Sequence, residues 1–121
     1  DVCSSDLDRR ERPGCTGATV LLKGPRTVVG APGALPAINP TGNPALATGG
    51  AGDVLTGITA ALACHLPLRG AAIAAAYLHG LAADRWAARM GADRGLLARE
   101  VADELPGALA AVAADLRPVP V

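Results

Sequence analysis

The sequence predicts an α/β fold, strands at the front of the chain and helices behind, on three observations. Short β-branched and aliphatic runs lie between residues 19 and 39. Beyond Asp53 apolar residues recur at spacings of three and four. Between the two stands a charge-free, glycine-rich stretch, from Thr41 to Gly52. Strands first and helices afterward suit one end of a layered protein. Two or three short strands cannot cover three helices, so the layered α/β protein is not expected to be complete.

In order, Asp1-Val2-Cys3-Ser4-Ser5-Asp6-Leu7 resembles a translated sequencing adapter, and residues 8–17 are charged with Gly and Pro. Residues 1–16 are therefore expected to be an adapter-derived or disordered remnant, and the lack of an initiating Met agrees with truncation. Residues 17–121 form one domain on length grounds. Thr19-Val20-Leu21-Leu22 reads as a strand stopped by Lys23-Gly24-Pro25, with Thr27-Val28-Val29 returning as a hairpin partner and a third strand near Ala37-Ile38-Asn39. Leu55, Ile58, Leu62 and Leu66 predict an amphipathic helix ending near Pro67, and a second helix runs from about Arg69 to Arg89. Val101, Leu105, Leu109 and Val112 predict a last helical segment that Pro106 breaks or kinks, with Pro118 and Pro120 ending the chain.

Composition excludes several function classes. Eleven basic and eleven acidic residues cancel, which points away from nucleic acid and anionic membranes. The apolar runs Val54–Leu68 and Gly70–Ala83 fall short of the ~18–20 residues of a membrane span. Cys3, Cys15 and Cys64 are an odd number without a C-x-x-C pair, which fits a reducing cytoplasm better than a zinc or disulfide framework. A soluble, cytoplasmic protein is expected. With no Phe, one Trp86 and one Tyr77, the core is expected to consist of closely packed aliphatic helices without aromatic anchors.

The chemistry is concentrated in Gly49-Gly50-Ala51-Gly52-Asp53, immediately before the first predicted helix. Glycines there permit positive φ and close backbone approach. The first N–H groups of a helix lack intrahelical partners and lie at the positive end of its macrodipole, a setting for phosphate or a developing oxyanion. Asp53 is then either a helix cap or a base that deprotonates a hydroxyl attacking phosphorus. A P-loop is excluded because Lys23-Gly24 reverses the required order without a following Ser or Thr. A dinucleotide fingerprint starting at Gly50 is excluded because Leu55 stands where glycine is required.

The span from Lys23-Gly24-Pro25-Arg26-Thr27 through Asn39-Pro40-Thr41-Gly42-Asn43-Pro44-Ala45-Leu46-Ala47-Thr48-Gly49-Gly50-Ala51-Gly52-Asp53-Val54-Leu55 resembles the ADP/ATP-dependent NAD(P)H-hydrate dehydratases, of ribokinase-like fold. Tyr77-Leu78-His79-Gly80-Leu81-Ala82-Ala83-Asp84 and Gly95-Leu96-Leu97-Ala98 also match their helical segments. The resemblance covers about residues 17 to 116. It implies the truncated C-terminal part of a three-layer α/β/α sandwich, and repair of hydrated NADH or NADPH with ADP or ATP consumed: phosphorylation of the hydroxyl, then loss of phosphate to regenerate the reduced cofactor.

By resemblance, Lys23, Gly24, Pro25, Arg26 and Thr27 hold the adenine nucleotide from the strand end, and residues Asn43 to Gly52 wrap it. The Gly49–Gly52 backbone would stabilise the transferring phosphoryl group, Asp53 would touch the hydrated nicotinamide and act as base, and Mg²⁺ would bridge phosphate oxygens without a visible ligand set. A homotetramer is implied in the same way, as is a missing N-terminal half, without which the fragment is expected to be inactive. Two other readings stay open: a ribokinase-like kinase of the hydroxymethylpyrimidine, thiazole or pyridoxal type, and a non-catalytic helical interaction domain. His79 reads as a structural histidine, His65 as a helix-end residue, and Asp84 and Arg85 as solvent-face or helix-end charges.

Overall fold

The computed structural model describes residues 17–116. The expectations for residues 1–16 and for the terminal prolines, and with them Cys3 and Cys15, lie outside the described residues. Three strands, β1 (Val20–Leu22), β2 (Val28–Gly30) and β3 (Ala37–Ile38), form an antiparallel meander in the order β1-β2-β3. Leu21 pairs with Val29, and Val29 in turn with Ala37. The Asn39 amide extends this ladder by donating to the Thr27 carbonyl at 2.8 Å. Val29, only 1% exposed, is the strand residue that enters the core.

A short 3₁₀ turn (Pro44–Leu46) leads into helices α1 (Ala51–Ala63), α2 (Leu68–Met90) and α3 (Ala98–Asp115). Helix α2 lies between the other two, with contacts to both. Its buried residues Ala71, Ala72, Ala75, Ala76, Ala82 and Ala83 recur every three to four positions, which is the spacing of a helix face. Alanine adds no bulk, so neighbouring backbones can pack close to that face. Gly91, in the left-handed conformation at φ +65°, ends the helix, with its amide donating to the Ala87 carbonyl.

Two expectations are corrected. Trp86 is an aromatic anchor after all: it is 3% exposed and packs in a core cluster with Ala45, Ala82, Ala83, Leu96 and Val101. The alanines leave room for one large ring, and Trp86 takes it. Of the break or kink expected at Pro106, the break does not occur: α3 runs uninterrupted from Ala98 to Asp115. Pro106 costs the helix the bond that would reach the Ala102 carbonyl, but both residues are exposed, so water can serve that carbonyl. The Glu104 carboxylate, bonded by Arg89 (Nη2 to Oε1, 2.5 Å) and 3.7 Å from Arg85 Nε, joins α2 to α3 on the same stretch.

Candidate functional site

Four segments meet around a cavity of about 580 Å³. The β1–β2 turn contributes Lys23, Gly24, Pro25 and Thr27, and the loop after β3 contributes Asn39, Gly42, Asn43, Pro44, Leu46 and Ala47. Leu55 of α1 and Ala76, His79 and Gly80 of α2 complete the lining. The size falls within the ~300–1,000 Å³ of small-molecule pockets.

The loop is clasped to α2 by a ladder of polar contacts. Asn39 Nδ2 donates to the Ala76 carbonyl at 3.0 Å and to the Thr41 carbonyl at 3.1 Å. Thr41 Oγ1 donates to the Tyr77 carbonyl at 2.8 Å. Thr41 lies so near Gly80 that a Cβ there would stand 2.6 Å from the Thr41 carbonyl carbon, so only glycine fits. Gly42 turns the chain at φ +105°, and its amide donates to Asp84 Oδ2 at 2.9 Å. Asn43 Nδ2 donates to Asp84 Oδ1 at 2.9 Å, while Asn43 Oδ1 caps the 3₁₀ turn by accepting from the Ala45 amide at 2.9 Å. Asp84 is therefore not a solvent-face charge; it is half-buried beneath the loop. Its four-residue step from Gly80 places both on one helix face, the signal that could have found it.

At the start of α1 the backbone is left open. Gly50, at φ +85°, precedes the helix without a side-chain cap. The Ala51 amide reaches the Thr48 carbonyl at 3.4 Å and the Asp53 amide reaches the Gly50 carbonyl at 3.1 Å. Among the described residues no hydrogen bond occupies the amides of Gly49, Gly50 and Gly52. Lys23 Nζ stands over this helix start, 2.9 Å from where a Cβ on Gly52 would be. Asp53 occupies the first turn rather than the cap position, and its carboxylate is exposed.

His79 ties the two regions together. Its ring is 5% exposed, with Nε2 2.9 Å from the Ala51 carbonyl. A carbonyl only accepts, so Nε2 carries the hydrogen in the neutral ring. Burial pushes the pKa of His79 below the ordinary value, the Ala51 carbonyl partly opposes this, and the Lys23 charge adds to the lowering. The structural role expected of His79 is present, and the residue also lines the cavity.

Of the expected site residues, Lys23, Gly24, Pro25, Thr27, Asn43, Pro44, Leu46 and Ala47 line one cavity. Arg26 is exposed on the hairpin turn, and Ala45 turns into the core against α2. Thr48, Gly49, Gly50, Ala51, Gly52 and Asp53 lie beyond the lining, joined to it through Lys23 and His79. The lining residues Asn39, Gly42, Leu55, Ala76, His79 and Gly80 were not among the expected contacts. Among the described residues no group of three potential metal-ligating side chains occurs, and no helix is long and apolar enough to cross a membrane.

Comparison with known proteins gives one consistent answer. Residues 10–107 match the family model described as NAD(P)H-hydrate dehydratase. The chain is 52% identical over 90 residues to a bifunctional NAD(P)H-hydrate repair enzyme of Moorella thermoacetica, covering 74% of this chain and 17% of the relative. It is 47% identical over 88 residues to the ADP-dependent (S)-NAD(P)H-hydrate dehydratase of Bacillus subtilis, covering 72% of this chain and 32% of that one. The crystal structure of the ADP/ATP-dependent NAD(P)H-hydrate dehydratase from Bacillus subtilis, co-crystallised with ATP/Mg²⁺, superposes with a TM-score of 0.70 at 41% identity, over 77% of this chain and 34% of that one. The chain thus spans about a third or less of the length of these relatives.

Proposed function

We propose, from the premise that this chain belongs to the NAD(P)H-hydrate dehydratase family, that it forms the nucleotide-phosphate side of an enzyme that repairs hydrated NADH or NADPH. The observation that carries the reading is the Lys23 ammonium beside Gly52, over a helix start whose Gly49, Gly50 and Gly52 amides are unclaimed among the described residues. A cation and open amides at the positive end of a helix match a transferring phosphoryl group in charge and in hydrogen-bond sense.

In this reading the nucleotide occupies the cavity and directs its phosphates from Lys23 toward Gly52. The hydroxyl oxygen of the hydrated nicotinamide attacks the terminal phosphorus, Asp53 accepts its proton, and the shortened nucleotide leaves. The carbon–oxygen bond then breaks with release of phosphate, and loss of a proton from the neighbouring carbon restores the ring double bond. Asp53 suits the first step because its carboxylate is exposed one residue from the Lys23-covered glycine. ADP or ATP is the co-substrate that the family relationship favours. Mg²⁺ accompanies the nucleotide in the family, but the described residues do not by themselves supply a ligand set, so no step is assigned to it.

The test is incubation of the complete polypeptide containing this sequence with hydrated NADH and ADP. Stoichiometric appearance of NADH and phosphate is expected. Accumulation of a phosphorylated vitamin precursor from its own substrate, with hydrated NADH untouched, overturns the reading in favour of a kinase.

A further inference from the structure

We infer that Asp84 is a positioning residue for the nucleotide cavity, setting the conformation of Gly42 and Asn43 without touching the ligand; this rests on the function proposed above. Asp84 does not line the cavity, whereas both residues it holds do. The other contacts of the clasp end on the backbone carbonyls of Ala76 and Tyr77. Asp84 is the α2 side chain that receives the loop, so this part of the clasp depends on one residue's chemistry.

The pair also fixes which way Asn43 faces. Its oxygen is committed to the Ala45 amide and its nitrogen to Asp84, leaving one amide hydrogen uncommitted. A carboxylate accepts from Gly42 and Asn43 with separate oxygens. An asparagine at position 84 has a single oxygen, so one of the two donors must then face an NH₂ group. The loop loses its preferred shape, and a preorganised pocket becomes one that ligand binding must reorganise.

The geometry makes a test by exchange of donor and acceptor possible. Asp84→Asn is expected to raise the KM and the dissociation constant for ADP about tenfold, as loss of a charge-assisted hydrogen bond does, with kcat within about threefold. In an Asn43→Asp background the same change should act in the opposite direction. There the amide introduced at position 84 can accept from Gly42 and donate to the carboxylate introduced at position 43. This relieves two carboxylates placed face to face, so ADP binds more tightly than with Asn43→Asp alone. Both comparisons are read by calorimetry on the complete polypeptide. Reversal of sign is expected. An effect of equal sign in both backgrounds, or none in either, overturns the inference. If Asp84→Asn alone fails to fold, the Asn43→Asp comparison still decides. Unsubstituted protein that does not bind ADP removes the functional reading as well, whereas normal binding with an unresponsive Asp84 removes the inference alone.

Discussion

The clasp at Asn39–Asn43 and the bend at Gly49–Asp53, which runs into the first turn of α1, both contain glycine, yet they treat their backbone groups in opposite ways. In the clasp the Asn39, Thr41 and Asn43 side chains and the Gly42 amide all have partners, most of them on α2. In the bend the Gly49, Gly50 and Gly52 amides have none among the described residues. Buried polar groups are satisfied where a protein needs rigidity. Open amides beside a cation are tolerable at a partly exposed helix start, where a ligand can take them. The contrast teaches that glycine-rich sequence alone does not distinguish a satisfied loop from one with unclaimed donors.

The comparison breaks most sharply at Asp53. If the bend is the reactive end, Asp53→Ala lowers kcat by about 10²–10⁴-fold, the usual range for a general base, while ADP still binds. If Asp53 only complements the helix dipole, turnover is unchanged and the melting temperature falls slightly, for a loss of ~0.3–1 kcal/mol. Steady-state rates on the complete polypeptide separate the two. At the clasp the largest effect belongs to Gly80→Ala. Its methyl would meet the Thr41 carbonyl carbon at 2.6 Å and oxygen at 2.7 Å, in a residue whose carbonyl is held by Asn39 and whose hydroxyl is held by Tyr77. Overpacking of this kind costs about 1–3 kcal/mol, to be read as a lower denaturant midpoint.

Much of the fold, though not this contrast, is legible in the sequence. The hairpin, the third strand, α1 and α2 followed from runs of Val, Leu and Ile, from turn residues, and from three-and-four spacing. The turn at Gly49–Gly50 into α1 is legible because glycine permits the positive φ found at Gly50 and an aspartate suits a first helical turn. The roles of Trp86, Asp84 and Gly80 were not. Each depends on what a distant segment brings to α2: Ala45, Leu96 and Val101 in one core cluster with Trp86, Asn43 bonded to Asp84, Thr41 close against Gly80. Local pattern records a helix face but not its occupant. Pro106 does not end the helix for a related reason, since a helix tolerates the residue when the orphaned carbonyl belongs to an exposed position.

Lys23→Met sharpens the contrast from the ligand's side. The ammonium beside Gly52 makes no ion pair among the described residues, so its removal should cost binding more than folding. ADP affinity is expected to fall about tenfold, the size of one charge-assisted hydrogen bond to phosphate, with AMP affected less and the melting temperature nearly unchanged. Equal loss for AMP and ADP would move Lys23 away from the terminal phosphate. Titration calorimetry with both nucleotides measures the difference.

The smallest effect lies where the two regions join. Folding lowers the pKa of His79 from its ordinary value of 6.5, chiefly through burial. The unfolded chain therefore binds a proton more readily than the folded one, and unfolding is favoured as pH falls. This stabilisation is complete above pH 6.5 and is lost progressively as pH drops from there through the folded-state pKa, below which no further loss comes from this group. His79→Gln should abolish that slope, since an amide can still donate to the Ala51 carbonyl but does not titrate in this range. Denaturant midpoints measured across the interval test it: a slope that persists in His79→Gln assigns the titration to another group and leaves the start of α1 insensitive to the ring beneath it.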